Sequence, residues 1–153
     1  MEEKIQLSQD FLMKAVLANT TSATKISKIL CDHSEDNILK ADEIILGLIY
    51  RLMTPMTDEE MTQSINEVEF VLYAESSDEE SEEENIIDDT DDIDGTDDLS
   101  VSRKIKCNTC NCDICMRCRI CLSNFNDYIP KDNLGDLFKN SILETCKTHN
   151  RIL

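Results

Sequence analysis

The sequence predicts a mainly α fold with a small N-terminal helical bundle, a disordered acidic linker and a separate C-terminal cysteine-rich module. Apolar residues recur at helical spacing through the first 74 residues. Residues 75–98 hold fourteen acidic side chains and no basic one, and six of the eight cysteines lie within residues 107–121. We therefore expect a helical domain over residues 1–74, a linker over 75–100 and a third domain over 101–153.

Four short amphipathic helices are expected in the N-terminal domain. Ser22 is a predicted N-cap for the second helix, and Thr57 with Glu60 forms a predicted capping box for the fourth. None of these helices carries a catalytic constellation, so the bundle is interpreted as a scaffold or a docking surface. The predicted helices cover Glu2–Asn19, Ser22–His33, residues 36–53 and the residues that follow Thr57.

The acidic segment is expected to be disordered, since repulsion between its carboxylates and scarce apolar residues leave the entropy of ordering unopposed. Ser77 and Ser81 precede acidic residues, as in the sites of acidophilic kinases. Two interpretations stay open. The segment is either a solvated tether or a peptide that a basic partner captures.

The cellular setting is inferred from features that the sequence lacks. The acidic N-terminus does not resemble a signal peptide, and no run approaches the ~18 apolar residues of a membrane span. We therefore expect an intracellular, reducing compartment and no membrane partner. The many Ile, Asn, Asp and Lys residues suit an AT-rich genome, such as that of a large DNA virus.

Four pairs of potential metal ligands, each with two intervening residues, follow the linker. Seven thiolates and one imidazole make the complement of two tetrahedral zinc ions. Disulfides, a redox relay and iron–sulfur ligation are the alternatives, and the histidine favours zinc. The predicted ligands are Cys107, Cys110, Cys112, Cys115, Cys118, Cys121, Cys146 and His149.

The pairing of these ligands follows one of two schemes. The sequential scheme joins the first two pairs and then the last two, whereas the cross-braced scheme alternates them. Only Asn111 separates Cys110 from Cys112, so the cross-braced scheme is preferred. A helix beginning near Asp132 would place Cys146 and His149 on one side of its last turns, which completes a C-terminal two-zinc module with one helix.

The stretch "CRICL" (Cys118–Leu122) resembles the opening knuckle of RING-type ubiquitin ligases and related treble-clef zinc modules. The resemblance covers at most Cys107–His149. It implies that Ile120 and Leu122 would contact a ubiquitin-conjugating enzyme, with no catalytic side chain required.

The remaining Cys31 and His33 are two positions apart on a predicted helix, so their side chains diverge. They are interpreted as a partly buried cysteine and a helix-end histidine near the negative pole of the dipole. No triad, phosphate loop or carboxylate pair is recognisable. We therefore expect a protein that is not an enzyme.

Charge favours protein partners over nucleic acid. Residues 99–153 carry nine basic and five acidic side chains, but thiolate-bound zinc sites would cancel most of that excess. Nucleic acid is thus unlikely to be the main ligand. We expect a zinc-binding adaptor or regulatory protein, in transcription or chromatin regulation, whose partners have basic surfaces. The alternatives are a RING-like ligase, or a factor associated with one, and a nucleic-acid-binding zinc protein.

Overall fold

The computed structural model describes residues 1–74 and 101–153, and within them the protein is mainly helical, as predicted. The predicted linker therefore lies outside the described residues. The helices and strands are α1 (Glu2–Asp32), α2 (Ala41–Met53), α3 (Asp58–Ala74), β1 (Arg103–Lys104), α4 (Asp113–Asn124), α5 (Asn133–Thr148) and β2 (Arg151–Ile152). No described helix is long and apolar enough to cross a membrane.

The first two predicted helices form one helix, α1, so the predicted break at Ser22 is wrong. The hydroxyls of Thr20 and Thr24 donate to carbonyl oxygens four residues earlier, at 2.9 Å each. These bonds satisfy the polar side chains inside the helix. No glycine or proline occurs there to end it.

The predicted start of α3 is confirmed. The Thr57 backbone N–H donates to the Glu60 carboxylate at 2.9 Å, and the Glu60 N–H donates to the Thr57 hydroxyl at 3.2 Å. This reciprocal pair is a capping box. Helix α3 then packs against α1, where Lys14 pairs with Glu69 at 2.8 Å.

Residues 101–153 contain two helices where the sequence analysis expected one. The spacing of Cys112, Cys115, Cys118 and Cys121 fits a helical turn, and α4 includes the last three of them. Helix α5 begins as predicted, because Asp132 accepts a hydrogen bond from the Gly135 N–H at 2.7 Å. The two-residue strands β1 and β2 pair in parallel, with Arg103 opposite Arg151.

Helix α2 lies at the centre of the fold and contacts α1, α4 and α5. The division into separate domains stays a prediction, but residues 1–74 and 101–153 share one hydrophobic core in the structure. Its members from the first range are Ile26, Leu30, Ile45, Leu46, Ile49 and Tyr50, and those from the second are Ile105, Cys115, Cys118, Phe125, Ile142 and Cys146.

A buried carboxylate joins the same two ranges. Asp42, 2% exposed in the first turn of α2, accepts hydrogen bonds from Arg103 Nη1 and Arg151 Nε, at 2.7 Å each. It also accepts one from the Lys106 backbone N–H at 2.8 Å. Burial alone would raise the pKa of Asp42, but these hydrogen bonds outweigh it and hold the pKa below its ordinary value.

Candidate metal centre

Four potential ligands from two distant parts of the chain converge at the end of α1. They are His33, Cys110, Cys112 and Cys115, and their ligand atoms all lie within 4.8 Å of one another. The His33 Nδ1 lies 3.3 Å from the Cys112 Sγ and 3.4 Å from the sulfurs of Cys110 and Cys115. This group is called the His33 cluster below.

Local helix geometry positions the imidazole. His33 is the C-cap of α1, and its N–H donates to the Ile29 carbonyl at 3.1 Å. The chain then turns away, since the Ser34 hydroxyl and N–H both bond to the Cys31 carbonyl, at 2.7 and 3.0 Å. The side chain of His33 is thereby held beyond the last turn of α1.

The three cysteines are presented by the start of α4 and the residues before it. Cys112 is the N-cap of α4, and its N–H lies 3.4 Å from the Cys110 sulfur. Cys115 is in the first turn, where the positive end of the helix dipole favours a thiolate. Asn108 donates to the Cys115 sulfur at 3.3 Å and to the Leu30 carbonyl at 3.2 Å. This asparagine connects the cysteine segment directly to α1.

The donor set fits a tetrahedral metal ion. Bonds of ~2.3 Å to sulfur and ~2.0 Å to nitrogen would separate nitrogen from sulfur by roughly 3.5 Å, close to the 3.3–3.4 Å between the His33 Nδ1 and the three sulfurs. The hydrogen bond from the Cys115 N–H lowers the pKa of Cys112 to about 7. Burial, followed by the neighbouring thiols, raises the pKa of Cys115 to about 11. A bound cation would stabilise the crowded thiolates that are otherwise hard to form together.

The structure brings three of the eight predicted ligands into this cluster. The cluster includes Cys110 but not Cys107. Both the sequential and the cross-braced scheme place these two cysteines on the same ion, so neither scheme describes this cluster. His149 caps α5 and is exposed. The structure does not bring it to the His33 cluster, which takes its imidazole from α1.

Of the other four predicted ligands, Cys118 and Cys146 belong to the shared core, and Cys107 and Cys121 are partly buried and pack against it. Cys107 and Cys118 line the same small cavity, and burial, followed by neighbouring thiols such as Cys121, raises the pKa of Cys118 to about 12. Across residues 1–74 and 101–153, the His33 cluster is the one group of at least three such ligands within 4.8 Å. All eight cysteines are free thiols.

The metal-binding potential of His33 was missed, because His33 was paired only with its neighbour Cys31, and those two side chains diverge on one helix. The available signal was ligand counting. Seven clustered cysteines lack one ligand for two tetrahedral sites, and the chain holds two histidines. If residues 1–74 contact residues 101–153, His33 and His149 are equally good candidates for the eighth ligand.

Comparison with protein-family models, curated proteins and solved structures finds no match to this chain.

Proposed function

We propose that this chain is an intracellular zinc-binding adaptor whose metal ion fastens the N-terminal helices to the cysteine-rich segment. The observation that carries the proposal is the His33 cluster, which combines one imidazole with three cysteine sulfurs. The three cysteines follow His33 by 77 to 82 positions in the sequence. Three sulfur donors and one nitrogen donor are typical of structural zinc sites. The ion would contribute directly to folding.

A second zinc ion is proposed for Cys107, Cys118, Cys121 and Cys146. With His33 completing the first site, the chain still supplies eight ligands for two tetrahedral ions. The supporting observation is that Cys118 and Cys146 belong to the shared core and that Cys107 and Cys121 pack against the same core. These four sulfurs are not among the ligand atoms that lie within 4.8 Å of one another, so their side chains would have to move to surround one ion.

Native mass spectrometry of the purified chain tests both ions. We expect two zinc ions, of which one is lost in Cys115→Ser and the other in Cys118→Ser. Cys31→Ser is the matched control and should keep both, since Cys31 lies outside both ligand sets. A single ion in the wild type would disprove the second site only. A fully folded wild-type protein that carries no metal, with residues 110–115 as ordered as the rest, would disprove the zinc proposal.

The adaptor role is supported by apolar side chains that the fold leaves exposed. Phe11 and Met13 in the first half of α1 are 66% and 63% exposed, and Phe70 and Tyr73 at the end of α3 are 76% and 66% exposed. Large exposed apolar groups on neighbouring elements are typical of protein-interaction surfaces. The acidic residues 75–98 would add attraction for basic partners, such as proteins of the transcription or chromatin machinery.

Affinity capture from cells tests this role, using Phe11→Asp as the surface variant and Ile129→Asp, at an exposed position between α4 and α5, as its control. We expect a defined set of proteins that Phe11→Asp loses and Ile129→Asp keeps. Captured nucleic acid in place of proteins would contradict the adaptor proposal and support the nucleic-acid alternative.

One feature favours the ligase alternative. Ile120, which the RING resemblance assigns to an enzyme contact, is 59% exposed. Against it, Cys118–Leu122 lies inside α4, whereas an opening knuckle requires a turn. A reconstituted assay with several ubiquitin-conjugating enzymes separates the two functions. If the wild-type protein forms ubiquitin chains and Ile120→Ala does not, the protein is a ligase and the adaptor proposal is wrong.

A further inference from the structure

A groove of about 360 Å³ opens between helices from both described ranges. Its volume lies within the range of small-molecule sites, about 300–1,000 Å³. The groove is separate from the His33 cluster and shares no residue with it. Apolar side chains form much of its wall, including Val16, Leu52, Met56, Met61, Leu137 and Phe138.

Arg51 adds a buried cation to this wall, which also includes Asp132 at the start of α5. The residue is 6% exposed, and its Nη1 donates one long hydrogen bond of 3.4 Å to the Thr54 carbonyl. Its Nη1 also lies 3.9 Å from the Glu60 carboxylate, too far for a hydrogen bond. The buried Nε has no hydrogen-bond partner among the described residues.

The guanidinium therefore has one ion-pair partner, Glu60, and one long hydrogen bond, and only its Nε lacks an acceptor in the described part of the chain. An arginine has five N–H donors, and the neighbouring Tyr50 ring, 5.3 Å from the guanidinium carbon, offers only a cation–π contact. Burying charged donors without acceptors is unfavourable. Because Arg51 lines the groove, an anion there would give its guanidinium a second carboxylate partner beside Glu60.

We propose that the groove binds a small amphipathic carboxylic acid. Its apolar chain would lie along the groove, and its ionised carboxylate would accept hydrogen bonds from Arg51. A small molecule fits better than an extended peptide. Most of the wall is helical, and helical backbone groups already bond within their own helix, so a peptide backbone would find few partners there.

Calorimetric titration of the full-length, zinc-loaded protein with octanoate and decanoate tests this proposal. We expect decanoate to bind about ten-fold more tightly than octanoate, because two more methylenes become buried. Decanol should bind at least ten-fold more weakly than decanoate, because it lacks the charge-assisted hydrogen bonds. Equal affinities for decanol and decanoate, or no binding of decanoate, would overturn the proposal.

Two variants locate the site. Arg51→Met keeps an apolar stem and should reduce decanoate affinity to that of decanol. If this buried variant does not fold, Leu137→Asp tests the site in its place. Leu137 lies on the groove wall and is 65% exposed, so the fold should tolerate the change. It should abolish binding, whereas Ile129→Asp, at an 84% exposed position outside the groove, should not.

Two further outcomes would contradict the proposal. One is unchanged decanoate affinity in Leu137→Asp. The other is tighter binding of an apolar tetrapeptide with a free C-terminal carboxylate than of decanoate, which would assign the groove to a peptide partner.

Discussion

The Nδ1 of His33 lies 3.4 Å from the Sγ of Cys115, although 82 positions separate the two residues in sequence. The contact closes a long loop that includes α2, α3 and the acidic segment. A metal ion bound here would keep this loop closed in the folded state, and its binding free energy would add to the stability of the fold. The candidate metal centre is therefore also a junction between the two described ranges.

Removing metal should loosen this junction first. In the presence of a strong chelator, we expect faster hydrogen exchange in the last turn of α1 and in residues 110–115. The α1–α2 contact at Gly47 should keep more of its protection, since no proposed ligand lies there. Unchanged exchange rates after complete metal removal would show that the cluster does not hold the two ranges together.

Asp42→Asn should destabilise the fold by about 3–5 kcal/mol, because two arginines lose their buried charge partner. Denaturant unfolding at neutral pH measures the change, and Asp113→Asn, at an exposed position, is the control. Since the folded pKa of Asp42 is below its ordinary 3.8, its contribution is present above about pH 4 and disappears as the pH falls through the folded value. A difference between wild type and variant that grows in acid would contradict this assignment.

Gly47→Ala should also destabilise the protein, although alanine normally favours a helix by about 1 kcal/mol. An added Cβ would lie 2.3 Å from the Ser27 hydroxyl and 2.5 Å from the Ala23 carbonyl oxygen. We expect a loss of about 1–3 kcal/mol from overpacking. Combining it with Ser27→Ala should restore only part of the loss, because the backbone clash remains. Full restoration would mean that the side chain alone causes the strain.

Thr57→Ala tests the capping box at α3. Loss of the hydroxyl that accepts from the Glu60 N–H should cost about 1 kcal/mol, whereas Thr62→Ala, inside the same helix, should have a smaller effect. The midpoints of thermal unfolding of the two variants, measured under the same conditions, test this difference in stability. Equal stabilities would argue against a role for the cap.

Local signals predicted much of this fold. The Thr57 capping box and the Asp132 cap depend on residues within one turn, so short-range chemistry determines them. Ser22 failed as a helix start because a good N-cap residue does not end a preceding helix when nothing breaks it. The helical spacing of Cys112, Cys115 and Cys118 was overlooked because the same spacing suits a metal-binding turn.

The contact of His33 with Cys110, Cys112 and Cys115 could not be derived from local sequence patterns. It depends on α2 packing against α1, α4 and α5 at once, a tertiary arrangement that no spacing rule encodes. The cysteine motif indicated metal binding, but the origin of the imidazole depended on this long-range contact.

The most direct test of the central claim compares His33→Ala with His149→Ala. Each zinc-loaded variant is titrated with a competing chromophoric chelator, and the zinc retained is counted against wild type. We predict that His33→Ala releases one zinc ion at a chelator concentration at least ten-fold lower than wild type, whereas His149→Ala behaves like wild type. Release from His149→Ala together with wild-type retention in His33→Ala would contradict the account.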